Sequence, residues 1–166
     1  RIQTFIKYVV NRKKSDIMRN NILELIEKYN PEYFYILDDS FMSRPRQEMD
    51  DFIEMYSEFK IPFWVNTRPE TVKAEVLSGL IDVGLDRMSI GLEHGNFDYR
   101  KNILKRNPTN ELLLKHLEII ADSGVVFSIN CILGMVDETR EMVFETIEFC
   151  RKLRNFDAIT ISIFTP

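Results

Sequence analysis

Apolar residues along this chain gather into five short runs, and the first four of these are each followed by a helical pattern. The runs are Tyr33–Leu37, Ile61–Val65, Met88–Leu92, Val125–Ile129 and Ala158–Phe164. Between them, apolar residues recur at the three- and four-residue spacing of one helix face. After Ser15-Asp16, Ile17, Met18, Ile22, Leu25, Ile26 and Tyr29 form such a stripe, which Asn30-Pro31 ends because the residue before proline resists helical geometry. Ser43 is placed to cap a second helix, with Pro45 in its first turn and Met49, Phe52, Ile53, Tyr56 and Phe59 along its stripe. Glu70 to Val83 reads as a third, stopped by Gly84 at the left-handed position. A short helix runs through Ile103 and Leu104, another from Pro108-Thr109 to Gly124, and a last from about Glu138 to Leu153.

Strand and helix alternate at the length of a βα unit, so the fold class is α/β with a parallel sheet. Most runs are nearly continuously apolar, the pattern of strands covered on both faces. A doubly wound nucleotide fold would place a glycine-rich turn after its first strand. This chain has Asp38-Asp39-Ser40 after its first apolar run and no GxGxxG, and two anions would repel a pyrophosphate. A curved, partial (β/α) barrel fits better, as one unit over residues 1–166. All its C-terminal strand ends lie on one face, the face where such folds bind ligands.

With 166 residues, 45% of them hydrophobic, the chain can bury a core. Its net charge of −4 and the lack of a long basic block argue against a nucleic-acid partner. The densest basic run, Asn11-Arg12-Lys13-Lys14, reads as a solvated loop. Cys131 and Cys150 are the only cysteines, far apart, and read as small buried hydrophobes. His94 and His116 are too sparse for a metal site, and His116 reads as an ordinary helix residue. No signal peptide or apolar run of membrane-spanning length is present, so the expectation is a cytoplasmic protein without a membrane span. Arg1 and Pro166 read as the ends of an excised piece.

The polar strand ends carry the candidate chemistry. Asp38 and Asp39 can accept hydrogen bonds from an ammonium group, hold a metal or act in acid/base work; alternatively one caps the loop. Arg68 suits a carboxylate or phosphate, or pairs structurally with one of those aspartates, while Asn66 both donates and accepts. Glu93 offers two acceptor oxygens to neighbouring hydroxyls, as on a ribose, or serves as a cap or ion-pair partner. Arg106 reads as a solvated helix C-terminus. Asn130 is polar in an apolar run, and Gly134 permits a flat ligand to approach the backbone.

Taken in order, these segments resemble the core of the radical S-adenosylmethionine (SAM) superfamily, in the subgroup often fused to a cobalamin-binding domain. Tyr35-Ile36-Leu37-Asp38-Asp39-Ser40-Phe41 resembles that subgroup's strand followed by Asp-Asp-Asn/Ser-Phe, and Trp64-Val65-Asn66-Thr67-Arg68 its Cys-Asn-Ala/Thr-Arg strand. Ile90-Gly91-Leu92-Glu93-His94-Gly95 resembles its Gly-Ile-Glu-Ser-Gly, and Ile132 to Thr139 is similar to Ile-Leu-Gly-Leu-Pro-Gly-Glu-Thr. Phe164-Thr165-Pro166 resembles its Leu-Thr-Pro. His94 stands for the usual Ser, and Val136-Asp137 for Pro-Gly.

The resemblance implies a truncated barrel of five to six βα units with the first strand missing. It implies that Asp38, Asp39 and Ser40 lie beside the SAM methionine amino group, and that Asn66 contacts SAM. By the same likeness Glu93 holds the ribose or methionine end, Arg106 the SAM carboxylate, and Asn130, Ile132 and Gly134 line the ribose and adenine. The intact protein would use a [4Fe–4S] cluster to cleave SAM and abstract hydrogen from a small-molecule or unknown substrate. A cobalamin, if used, would sit in a separate domain. The family's CxxxCxxC motif is absent from this sequence, so the piece alone is expected to hold no cluster and to turn nothing over. Two other readings stay open: a metal-assisted or acid/base barrel using Asp38, Asp39, Glu93 and Arg68, and a non-catalytic binding domain. A sheet without its first strand would leave an edge open to artefactual pairing.

Overall fold

The computed structural model describes residues 5–9 and 15–165, so the Asn11–Lys14 run lies outside the described residues. Six parallel strands form one sheet in chain order: β1 (Phe5–Val9), β2 (Tyr33–Leu37), β3 (Phe63–Thr67), β4 (Leu85–Glu93), β5 (Val126–Leu133) and β6 (Ala158–Ile163). The helices α1 (Ser15–Tyr29), α2 (Arg46–Tyr56), α3 (Ala74–Asp82), α4 (Phe97–Asn102), α5 (Asn110–Ser123) and α6 (Arg140–Cys150) lie between them. The five expected strands are all present. β1 is an addition, an apolar run interrupted only by Lys7 that the sequence reading passed over, and it pairs with β2 from Phe5 opposite Tyr33 to Val9 opposite Leu37. The sheet edge therefore falls at β1 and not at β2.

β2 and β3 alternate, which corrects the continuous apolar reading for these two strands, whereas β4 and β5 each keep three consecutive buried residues. In β2 Phe34 and Ile36 are buried while Tyr33, Tyr35 and Leu37 are half-buried; in β3 Phe63, Val65 and Thr67 are buried while Trp64 and Asn66 are half-buried. Successive side chains point to opposite faces, so one face of the sheet packs on helices and the other stays open. The open face is aromatic and polar, with Tyr35 and Trp64 at 5.1 Å between ring centroids. The covered face holds the core. Phe52 of α2 meets Phe41 edge-on at 5.0 Å, stacks on Tyr56 at 5.2 Å and meets Phe63 of β3 at 5.9 Å. Each such pair contributes about 1 kcal/mol beyond area burial.

Helix ends follow local chemistry, with four corrections. Ser43 does not cap α2: it sits in a 3-10 turn, Phe41–Ser43, where its hydroxyl donates to the Ser40 carbonyl at 2.7 Å. The helix expected from Glu70 is a 3-10 turn, Pro69–Thr71, followed by α3, because Val72 and Lys73 are extended between them. The short helix is α4, which ends before Ile103 and Leu104. α6 starts at Arg140, two residues after Glu138, with the Thr139 hydroxyl accepting from the Met142 amide at 3.4 Å. Gly84 and Gly124 close α3 and α5 at φ of 117° and 79°, as the spacing predicts.

Strand ends also run later than the apolar runs suggested. Asn66 lies inside β3 and Asn130 inside β5, side chains on the open face. β4 ends in Glu93 at φ 67°, where the β4–β5 register shifts between Gly91 and Glu93. A left-handed glutamate at a bulged strand end is a strained backbone, the kind that re-aims a side chain.

Candidate functional site

At the C-terminal ends of β2 to β5 a cavity of about 250 Å³ is lined by Asp38, Asp39, Asn66, Thr67, Arg68, Ser89, Gly91, Glu93 and Asn130. Each position follows from strand pairing. Asn66 sits beside Ser89, and Gly91 beside Asn130, in the parallel ladder. Neighbours in register point the same way, so four strands deliver their polar side chains to one concavity.

The side chains within it differ in freedom. The two Asp38 oxygens accept from Arg44 at 2.6 Å and from the Ser40 amide at 3.2 Å, so this carboxylate holds its own turn together. Asp39 is exposed. Asn66 exchanges hydrogen bonds with the Tyr35 hydroxyl at 2.9 and 3.1 Å, which fixes its amide against the open face. Arg68 is exposed, and the structural alternative of an ion pair with Asp38 is taken by Arg44 instead. Glu93 is half-buried; burial pushes its carboxyl up, against the opposing pull of Arg106 and then Arg68. Gly91 leaves that carboxylate its place: a Cβ there would fall 2.5 Å from the Glu93 Oε1.

Four predicted residues stand behind or beside the cavity. Ser40 is buried, its hydroxyl 3.4 Å from that of Thr67. The solvated-terminus reading of Arg106 is wrong: the chain passes α4 and turns inward, burying the guanidinium. Its Nη1 donates to the Gly91 carbonyl at 2.8 Å and lies 3.4 Å from Glu93, while Nη2 donates to both Glu70 oxygens at 3.2 Å. Ile132 is half-buried on β5, and Gly134 turns the chain at φ 78° just past it. Asp137 takes a left-handed φ of 58° at the position where the similar motif has Gly, the residue that adopts such a φ without strain.

Sequence reasoning missed Thr67 and Ser89. Thr67 accepts from the Met42 amide at 3.2 Å and pairs with the Thr71 hydroxyl at 2.8 Å, pinning the loops after β2 and β3. Ser89 accepts from Trp64 Nε1 at 3.0 Å, and two-residue alternation from Gly91 would have found it. Cys131 and Cys150 are both buried on the covered face, away from the cavity lining. A hydrogen bond with Cys150, with burial behind it, pushes the Cys131 thiol up. Among the described residues no group of three His, Cys, Asp or Glu could hold a metal ion. No helix among them is long and apolar enough to cross a membrane.

The carboxylates and amides suit SAM. Its ammonium is a cation for Asp39, its ribose hydroxyls are donors for Glu93, and its carboxylate is an anion for Arg68. A [4Fe–4S] cluster does not fit these residues, because two buried thiols hydrogen-bonded to each other cannot ligate three irons.

Among curated proteins none matches this chain. The fold is similar to that of the radical S-adenosylmethionine methyltransferase TsrM from Kitasatospora setae with tryptophan and a SAM analogue bound. That match has a TM-score of 0.74 at 12% identity and covers 89% of this chain and 30% of TsrM. The cobalamin-dependent S-adenosylmethionine radical enzyme OxsB matches with a TM-score of 0.67 at 21% identity, over 80% of this chain and 21% of OxsB. Coproporphyrinogen III oxidase (HemN) from Escherichia coli matches at 0.69 and 12% identity, over 96% of this chain and 44% of HemN. The chain thus spans less than half the length of each of these structures, and at such identities the likeness is one of fold. Residues 8–150 match the sequence profile of the Radical SAM superfamily, and with that match over most of its length the chain belongs to the radical SAM superfamily.

Proposed function

We propose that this chain is the SAM-binding core of a radical SAM enzyme and that the cavity at the ends of β2 to β5 takes the cofactor. The observation that carries the reading is the convergence of Asp39, Asn66, Arg68, Glu93 and Asn130 on one concavity in a member of that superfamily. When bound, SAM supplies a carbon–sulfur bond that can be cleaved to a reactive adenosyl fragment.

The residues of this chain do the positioning. Asp39 accepts from the methionine ammonium, and Asn66, held by Tyr35, presents its amide to the same end. Arg68 receives the methionine carboxylate in place of Arg106, whose two terminal nitrogens already donate to the Gly91 carbonyl and to Glu70. Glu93 accepts from the ribose hydroxyls, and Asn130 with the Ile132–Gly134 turn faces ribose and adenine. The open sheet face below, walled by Tyr35 and Trp64, is where a substrate would meet the cofactor. Its chemistry is not decided by fold. The fold likeness to TsrM and OxsB supports a cobalamin-associated relative.

Titration calorimetry with SAM on the 166-residue chain tests this. Micromolar-range binding that weakens about tenfold in both Asp39→Asn and Arg68→Met supports the reading, since each removes a charge-assisted contact. Absence of SAM binding, or binding indifferent to both substitutions, overturns it.

A further inference from the structure

We propose that His94 and Glu138 form a latch that holds the turn after β5 against the end of β4, and so set where that turn stands relative to Glu93 at the SAM cavity. The proposal rests on the SAM reading only for its consequence, not for the latch itself. His94 is fully buried, although it follows directly on Glu93 at the cavity. Its Nδ1 accepts from the Asn96 amide at 3.0 Å. The proton of the neutral ring therefore sits on Nε2, which donates to Glu138 Oε1 at 2.9 Å. The other Glu138 oxygen accepts from the Gly134 amide. One side chain thus ties β4, through His94, to the turn that follows β5.

Only a carboxylate fits between these two donors. The two donors meet different oxygens, so a glutamine in the same pose would turn its NH2 on either His94 or Gly134. The surroundings hold the ring rigid. Tyr99 lies 4.6 Å from the imidazole between centroids, and its hydroxyl donates to the Val136 carbonyl on the far side of the same turn. Arg100 donates to the His94 carbonyl at 2.7 Å, and the Gly95 amide donates to Thr146 of α6 at 2.8 Å. In the family motif this chain resembles, a Ser stands at the position of His94 and a Glu at that of Glu138. Ser is too short to hold the imidazole's place between Asn96 and the carboxylate, so the latch is a feature of this chain. His94 and Glu138 are positioning residues: they touch the turn, not the cofactor.

The test joins amide hydrogen exchange at Gly134 with SAM calorimetry on the full chain. His94→Asn keeps an acceptor for the Asn96 amide but cannot reach Glu138; His94→Gln places a donor near the position of Nε2. The expected result is about tenfold faster Gly134 exchange and about tenfold weaker SAM binding in His94→Asn, with both restored toward wild type in His94→Gln. Glu138→Gln should also speed Gly134 exchange. If His94→Asn is unfolded by circular dichroism, Glu138→Gln alone decides the exchange arm. Unchanged Gly134 exchange in every folded variant overturns the latch. Faster exchange with unchanged SAM affinity overturns the link to the cavity, and wild-type protein that binds no SAM overturns the SAM reading while leaving the exchange result to judge the latch.

Discussion

Gly91 has no side chain, and the Glu93 carboxylate occupies the space beside it. The clash that an alanine would create is with the far end of a flexible side chain, so Gly91→Ala should cost little stability while moving that carboxylate off the cavity. The expected outcome is a nearly unchanged melting temperature with SAM affinity lowered about tenfold, read by thermal melts and calorimetry on the same sample. Glu93 itself carries a testable sign. Burial raises its carboxyl in the folded state, so its protonated form favours folding below the ordinary value of 4.5 and that contribution is lost as pH rises through the raised value. At neutral pH the charged side chain costs stability, and Glu93→Gln should melt higher there while binding SAM more weakly. A Glu93→Gln protein less stable than wild type at pH 7 would contradict this. Glu93 and Asn66 were legible as candidates because they are polar at the ends of apolar runs. Arg106 was not read correctly, since nothing local shows that the chain folds back to bury it beneath Gly91.

At the scale of elements, the loop after β4 is packed directly on α6. A Cβ on Gly95 would lie 2.4 Å from the Thr146 Cα, a backbone atom that cannot swing aside. Gly95→Ala should therefore destabilise the fold by about 2 kcal/mol through overpacking, measured by urea unfolding. Thr139→Ala, by contrast, removes one N-cap bond from α6 and should cost about 1 kcal/mol. The ranking of the two is the check: a larger loss from the cap would mean that α6 is held by its own end and not by β4. Helix existence was legible from spacing because an apolar stripe is a local pattern. Helix starts were less so: Ser43 has the right chemistry for a cap, but its hydroxyl found the Ser40 carbonyl first.

For the molecule as a whole, the two thiols decide what this chain can do alone. They face each other on the covered side of the sheet, so reconstitution with iron and sulfide under anaerobic conditions should give no stable brown [4Fe–4S] spectrum. A stable cluster stoichiometric with protein would refute that. β6 leaves Ile161 and Ile163 more than half exposed beside an apolar groove that Val143 and Ile147 of α6 line. Sedimentation is expected to show concentration-dependent self-association that Ile163→Lys suppresses, since exposed apolar strands at an edge invite pairing.

The order of strands and helices, the parallel sheet and the polar strand ends were all determined by the sequence itself, because periodicity and chain-order connection are local properties. The alternation of strand faces was obscured wherever aromatics occupied the open face, since Tyr35 and Trp64 read as core by composition. Only the tertiary structure decided which polar groups remain available. Asp38 is drawn away by Arg44, Arg106 by Glu70 and the Gly91 carbonyl, and His94 by Glu138. Each of these partners lies on another turn or element, and a buried charge or donor takes whatever partner packing brings within reach.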